Sequence, residues 1–340
     1  AFSTAGVSAP LLFDAIAKVA VQKIATFKPL ELANVTWAFC KAHVSAPLLF
    51  EAVALEAPRR MNWFNAQAMT NLVWAFASSK VDAPQLFQTV ATEALKKMHT
   101  FNAQSLANTA WAFAKAGVEA PLLFEAISKR SQKKLPTFSA KALANTAWAF
   151  ATAAVPAPVL FSGLAAESLA KIEQFNAQGL NNLIWAFSTL NVTAPTLYQA
   201  VALESMKKMK SFNTQALSST AWAYANAGLG ARHEVLLDAV AKEMTKQVSL
   251  ATSQALAITV WSFATAGRPA PALFSAVAES ALTRPQTFSP HSLSNTLWSF
   301  ATAGVEAPAL FHAFSQPSED KMHTFSASYL TNTAWAYATA

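Results

Sequence analysis

The chain has 340 residues, 53% apolar and only 13% charged, so it can bury a large core, yet it offers no unbroken apolar run of about 18 residues to cross a membrane. A formal charge of +7, from 25 basic and 18 acidic residues, suits a polyanion partner. Cys40 is the only cysteine, which excludes an intramolecular disulfide and a cysteine-cluster zinc site, while abundant alanine beside just 8 glycines points to helix.

Along the chain a Trp-Ala-Phe-like tripeptide recurs. Its tryptophans are Trp37, Trp74, Trp111, Trp148, Trp185, Trp222, Trp261, Trp298 and Trp335, spaced by 37 residues except for 39 between Trp222 and Trp261. The two extra residues fall near 229–235, and Trp63 stands outside the series. A period of this length marks units that cannot bury their apolar faces alone and must stack. The expected fold is all-α: residues 1–340 form a single α-solenoid of about nine two-helix units. The opening Ala-Phe-Ser and the closing Ala-Tyr-Ala-Thr-Ala both match the middle of a unit, so the chain reads as a piece of a longer array.

Each unit predicts two helices. Helix A opens at an N-cap whose side chain accepts from free backbone N–H groups: Asn65, Asn102, Ser139, Asn176, Asn213, Thr252, Ser289 and Ser326. Pro29 and Pro290 suit its first turn, Phe101 suits a hydrophobic staple, and Gly117, Gly228, Gly267 and Gly304 suit its end. Helix B opens at Pro47, Pro84, Pro121, Pro158, Pro195, Pro271 and Pro308, carries a Leu-Phe pair and ends near basic residues.

At 100° per residue, Leu106 and Phe113 lie on the side of helix A that should meet helix B, and alanines flank it. The remaining face repeats as polar ladders. Asn34, Asn71, Asn108, Asn145, Asn182, Asn295 and Asn332 stand three residues before Trp, with Ser219 and Ile258 as exceptions. Gln67, Gln104, Gln178, Gln215 and Gln254 stand seven before, where Lys141 and His291 also fall. Four after Trp come residues such as Lys41, Lys115 and Asn226. Amides can bond base edges or a peptide backbone, and tryptophan can stack on bases. Equally, Asn can bond a neighbouring unit, and Trp can be buried between units.

A second register holds Lys23, Arg60, Lys97, Lys134, Lys171, Lys208, Gln247, Arg284 and Lys321, doubled by Arg59, Lys96, Lys133, Lys207 and Lys246. Stacking would line these cations along an edge that a phosphate backbone could follow. Glu56, Glu93, Glu167, Glu204 and Glu243 each lie four residues earlier, however, so local ion pairs on helix B explain much of the column.

No phosphate loop, dinucleotide fingerprint, nucleophile elbow or HExxH pair occurs, so no catalysis, cofactor, metal or small-molecule substrate is expected. His233, in the inserted turn, reads as an exposed residue.

Stretches such as Leu106-Ala-Asn-Thr-Ala-Trp-Ala-Phe-Ala-Lys-Ala-Gly and Leu293-Ser-Asn-Thr-Leu-Trp-Ser-Phe-Ala-Thr-Ala-Gly, each followed by a proline opening the second helix, resemble the octotricopeptide repeats of organellar RNA-binding proteins. The resemblance implies single-stranded RNA as partner, in a chloroplast or mitochondrion, with a role in transcript maturation, stability or translation. Two features depart from that family: its unit is usually 38 residues long, and its Pro-Pro-Pro-Glu-Trp-Leu segment is replaced here by forms such as Ala120-Pro-Leu-Leu-Phe. The column would hold phosphates and the Gln and Asn ladders would face bases. A one-repeat-one-base reader needs residues that vary between units; the Asn ladder hardly does, which favours the Gln ladder and the position four after Trp. The alternative is an armadillo-like scaffold holding an extended peptide.

Overall fold

The computed structural model describes residues 9–268 and 270–340; the opening Ala-Phe-Ser lies outside them. Among the described residues there are 18 α-helices and no strand. They fall into two compact units, Ala1–Ala170 and Lys171–Ala340. The first holds A helices α2 (Pro29–Lys41), α4 (Ala66–Ser79), α6 (Ala103–Ala116) and α8 (Ala140–Thr152). Its B helices are α1 (Pro10–Gln22), α3 (Pro47–Arg59), α5 (Pro84–Lys97), α7 (Pro121–Gln132) and α9 (Pro158–Ala170). The second holds A helices α10 (Ala177–Thr189), α12 (Thr214–Asn226), α14 (Ser253–Thr265), α16 (Pro290–Ala303) and α18 (Ala327–Thr339). Its B helices are α11 (Pro195–Lys208), α13 (Glu234–Gln247), α15 (Pro271–Leu282) and α17 (Pro308–Lys321).

Each unit is an α-solenoid in which A helices pack on successive A helices and B helices on successive B helices. The A layer is the tighter one, because Ala107, Ala110, Ala112 and Ala114 are buried and let backbones approach. The aromatic residue two after Trp closes each hairpin onto the preceding B helix. Phe113 meets Phe87 edge-on at 5.0 Å, and Phe76 meets Phe50 in the same way. Where tyrosine replaces phenylalanine, its hydroxyl needs a partner: Tyr224 donates to the Tyr198 carbonyl at 2.7 Å.

The expected caps are present. Asn102 accepts from the Ser105 N–H at 2.8 Å, and the other seven caps do the same one turn into their helices. Each expected proline opens its B helix, and Pro29 and Pro290 open A helices. The four glycines after helix A take φ between 62° and 67°. The same left-handed position is filled without glycine by His43, Lys80, Ala154 and Asn191.

Two features add to the sequence reading. A three-residue 3-10 turn, such as Met98–Thr100, follows each B helix in the chain. The insertion forms a further 3-10 turn, Gly230–Arg232, whose Gly230 leaves no room for a Cβ beside Ala266. His233 is not simply exposed there. It is half-buried, its ring centroid 4.9 Å from that of Tyr224, with Nδ1 3.1 Å from the Leu229 carbonyl.

Candidate functional site

Positions −7, −3, 0 and +4 relative to Trp lie within an arc of about 60° on a 3.6-residue helix. In both units this arc is open. Gln67, Gln104, Lys141, Gln178, Gln215 and Gln254 are exposed, and His291 is half-buried. Asn71, Asn108, Asn145, Asn182, Asn295 and Asn332 are half-buried, and Lys115 is exposed. Only Asn295 among these asparagines forms a side-chain hydrogen bond within the described residues, to His291 at 3.0 Å. The amides of the others are free at the surface. Asn226, by contrast, donates to Ser188 of the neighbouring hairpin, so that +4 residue serves the scaffold.

From Trp37 to Trp298 the tryptophans of the series are half-buried, and several lie against each other, stacked or tilted. Trp74 and Trp111 lie 6.2 Å apart at 28°, Trp111 and Trp148 6.2 Å apart, and Trp185 and Trp222 6.5 Å apart. These separations fall in the range of directly interacting aromatic pairs, so the rings fill one another's faces. Lys41 Nζ lies 4.9 Å from the Trp74 centroid and 5.9 Å from that of Trp37, a cation against two ring faces.

Charge is segregated across the hairpins. Of the 18 acidic residues only Glu31 belongs to an A helix, whereas Lys41, Lys115 and Lys141 do. Glu31 is itself used to cap α2, accepting from the Lys28 N–H at 2.7 Å.

Several residues of the basic column have partners within the chain. Lys97 Nζ donates to the carbonyls of Asn62 and Phe64 in the preceding 3-10 turn and pairs with Glu93 at 2.9 Å. Lys208 does the same with Glu173, Phe175 and Glu204, and Lys321 with Gln286 and Phe288. Arg60 reaches the carbonyls of Ile24, Ala25 and Phe27 and pairs with Glu56. Arg284 reaches Ala251. The three ammonium hydrogens of Lys97 and of Lys208 thus have partners within the chain. Lys23 and Lys134 form no such clamp within the described residues, and Arg130 reaches the His99 carbonyl in that hairpin.

The doubling residues differ. Arg59, Lys96, Lys207 and Lys246 keep 74%, 66%, 64% and 54% of their side chains exposed, against 27% for Lys97 and 29% for Lys208. Each pairs with the same glutamate as the column residue. Hydrogen bonds from Lys97 and then Lys96 hold the Glu93 carboxyl below the ordinary carboxylate range; Lys208 and Lys207 do so for Glu204. Trp63, out of register, is exposed on the 3-10 turn beside this edge.

Among the described residues no three His, Cys, Asp or Glu side chains gather as a metal site, and no helix is long and apolar enough to cross a membrane. No curated protein sequence matches the chain. The family model of the RNA-editing substrate-binding complex 6 proteins matches residues 1–267 and again 171–340, overlapping as a periodic chain allows. The open, acid-poor helical face and this match over the whole length agree, and the chain belongs to the RNA-editing substrate-binding complex 6 family, an RNA-associated family of helical repeats.

Proposed function

We propose that the A-helix face binds single-stranded RNA without catalysing a reaction. The observation that carries the reading is the charge segregation: an open ladder of free amides, lysine-bearing and almost free of carboxylates, lies between stacked hairpins. A polyanion meets no like charge there, and amides can bond the edges of unpaired bases. Within each unit phosphates follow the outer edge, where the exposed Arg59 and Lys96 of the first unit, and Lys207 and Lys246 of the second, stand at B-helix ends. The self-stacked tryptophans give that face a rigid floor rather than slots for intercalated bases.

The family's description, an RNA-editing substrate-binding complex, supports RNA as partner and a mitochondrial setting in transcript processing. The octotricopeptide-like unit supports about one nucleotide per repeat. Protein partners fit a different surface: Leu11, Leu48, Leu122 and Val235 are exposed near the starts of B helices.

Fluorescence anisotropy with labelled single-stranded and duplex RNA over a salt series tests the reading. Binding of the single strand should weaken with a log–log slope of about −0.7 per neutralised phosphate. No binding of single strands at low salt rejects it.

A further inference from the structure

The polar face is not uniform. The Asn ladder breaks at two successive hairpins of the second unit, where Ser219 and Ile258 replace the amide. A cavity of about 300 Å³ opens at that place. Its walls are the rings of Trp185, Trp222 and Trp261. Trp185 and Trp222 lie 6.5 Å apart, tilted by 35°, and Trp222 and Trp261 flank the 39-residue spacing. The missing amides thus coincide with the recess.

The far wall carries the polar groups. Asn295 Nδ2 donates to His291 Nε2 at 3.0 Å, and both residues line the recess. That bond fixes the amide, leaving its Oδ1 and its second N–H for a ligand. The recess therefore presents aromatic faces, an apolar Ile258 side chain, the Ser219 hydroxyl and the acceptor–donor pair of Asn295. A volume near the bottom of the range for ligand pockets suits a single planar heterocycle.

We propose that this recess seats one unpaired purine of the bound strand, with adenine preferred, as the one base-selective point on an otherwise uniform face. Adenine offers its exocyclic amine beside a ring nitrogen, the pattern that an asparagine amide matches with two bonds. The larger ring system of a purine covers more of the tryptophan walls than a pyrimidine does. The inference rests on the RNA reading above and names what that face selects.

The test uses the whole chain and labelled oligouridylate strands carrying one adenosine, guanosine or cytidine. One adenosine should tighten binding about tenfold over oligouridylate, the effect of one good bidentate pair. Asn295→Ala should remove that preference, as should Ser219→Asn with Ile258→Asn, which refills the gap. Both variants should bind the adenosine strand and oligouridylate alike, at the wild-type helix content by circular dichroism. Equal affinity of the wild type for all four strands overturns the recess and leaves RNA binding standing. Failure to bind any strand overturns both. Should the double variant lose its fold, Asn295→Ala and quenching of tryptophan fluorescence by the adenosine strand decide the matter; absence of both effects rejects the seat.

Discussion

Lys97 Nζ donates to the backbone carbonyl of Phe64, 33 residues earlier, at 3.0 Å. The equivalent bond runs from Lys208 to Phe175, from Lys321 to Phe288 and from Arg284 to Ala251. The decisive member is Gln247, whose neutral amide donates to the Phe212 carbonyl at 3.1 Å. The register selects an N–H donor, and positive charge is secondary to it. Each donor fastens the end of one B helix to the start of the preceding A helix.

Removing such a donor should loosen the stack. Lys97→Met leaves two carbonyls short of a partner and strips the buried Glu93 of its closest cation. The expected loss is about 2–3 kcal/mol, read as a lower urea midpoint. Lys97→Gln should lose less, because the amide can still donate. An unchanged midpoint in Lys97→Met would show that the clamp is idle.

The outer residues should separate RNA affinity from stability. Lys96→Gln, Lys207→Gln and Lys246→Gln together should leave the urea midpoint nearly unchanged, as loss of exposed pairs does. The salt slope of RNA binding should become shallower by about 0.7 for each phosphate that no longer meets a cation. A slope equal to wild type would remove these lysines from the phosphate path.

Ala154 holds φ at 52°, where a Cβ is crowded by the following carbonyl. Its position is exposed, and the equivalent Gly117 and Gly304 take the same conformation freely. Ala154→Gly should stabilise the protein by about 0.5–1 kcal/mol, the strain relieved less the added freedom of the unfolded chain. Gly117→Ala should do the reverse. Thermal unfolding of the two variants checks the pair of signs.

Alkaline pH should weaken the second unit. Burial pushes the Tyr198 hydroxyl up to about 12, and burial raises that of Tyr224 well above its ordinary value of 10.0. The folded state holds its phenolic protons longer than the unfolded chain. Stability is therefore full below about pH 10 and falls as pH rises toward 12. Tyr224→Phe should soften that fall while costing about 1 kcal/mol at neutral pH, through loss of the bond to the Tyr198 carbonyl. A variant with an unchanged alkaline limb would assign the loss to other groups.

The 37-residue period, the Asn and Ser caps, the B-helix prolines and the glycine ends determined the elements and their stacking from sequence alone, because each acts within a turn or two of chain. The same locality made the Glu93–Lys97 type of pair readable, and it placed Gln104, Asn108 and Trp111 on one face. What those faces meet is a matter between hairpins, and only the tertiary structure decided it. It turned Lys97 and Lys208 inward onto carbonyls 33 to 35 residues away and left Lys96 and Lys207 outside. It set the Trp111 ring against those of Trp74 and Trp148 in the neighbouring hairpins. It also turned two substitutions, Ser219 and Ile258, into a recess walled by side chains from helices α10, α12, α14 and α16. Period and propensity are properties of one segment, whereas donors, ring stacks and cavities exist only where several segments meet.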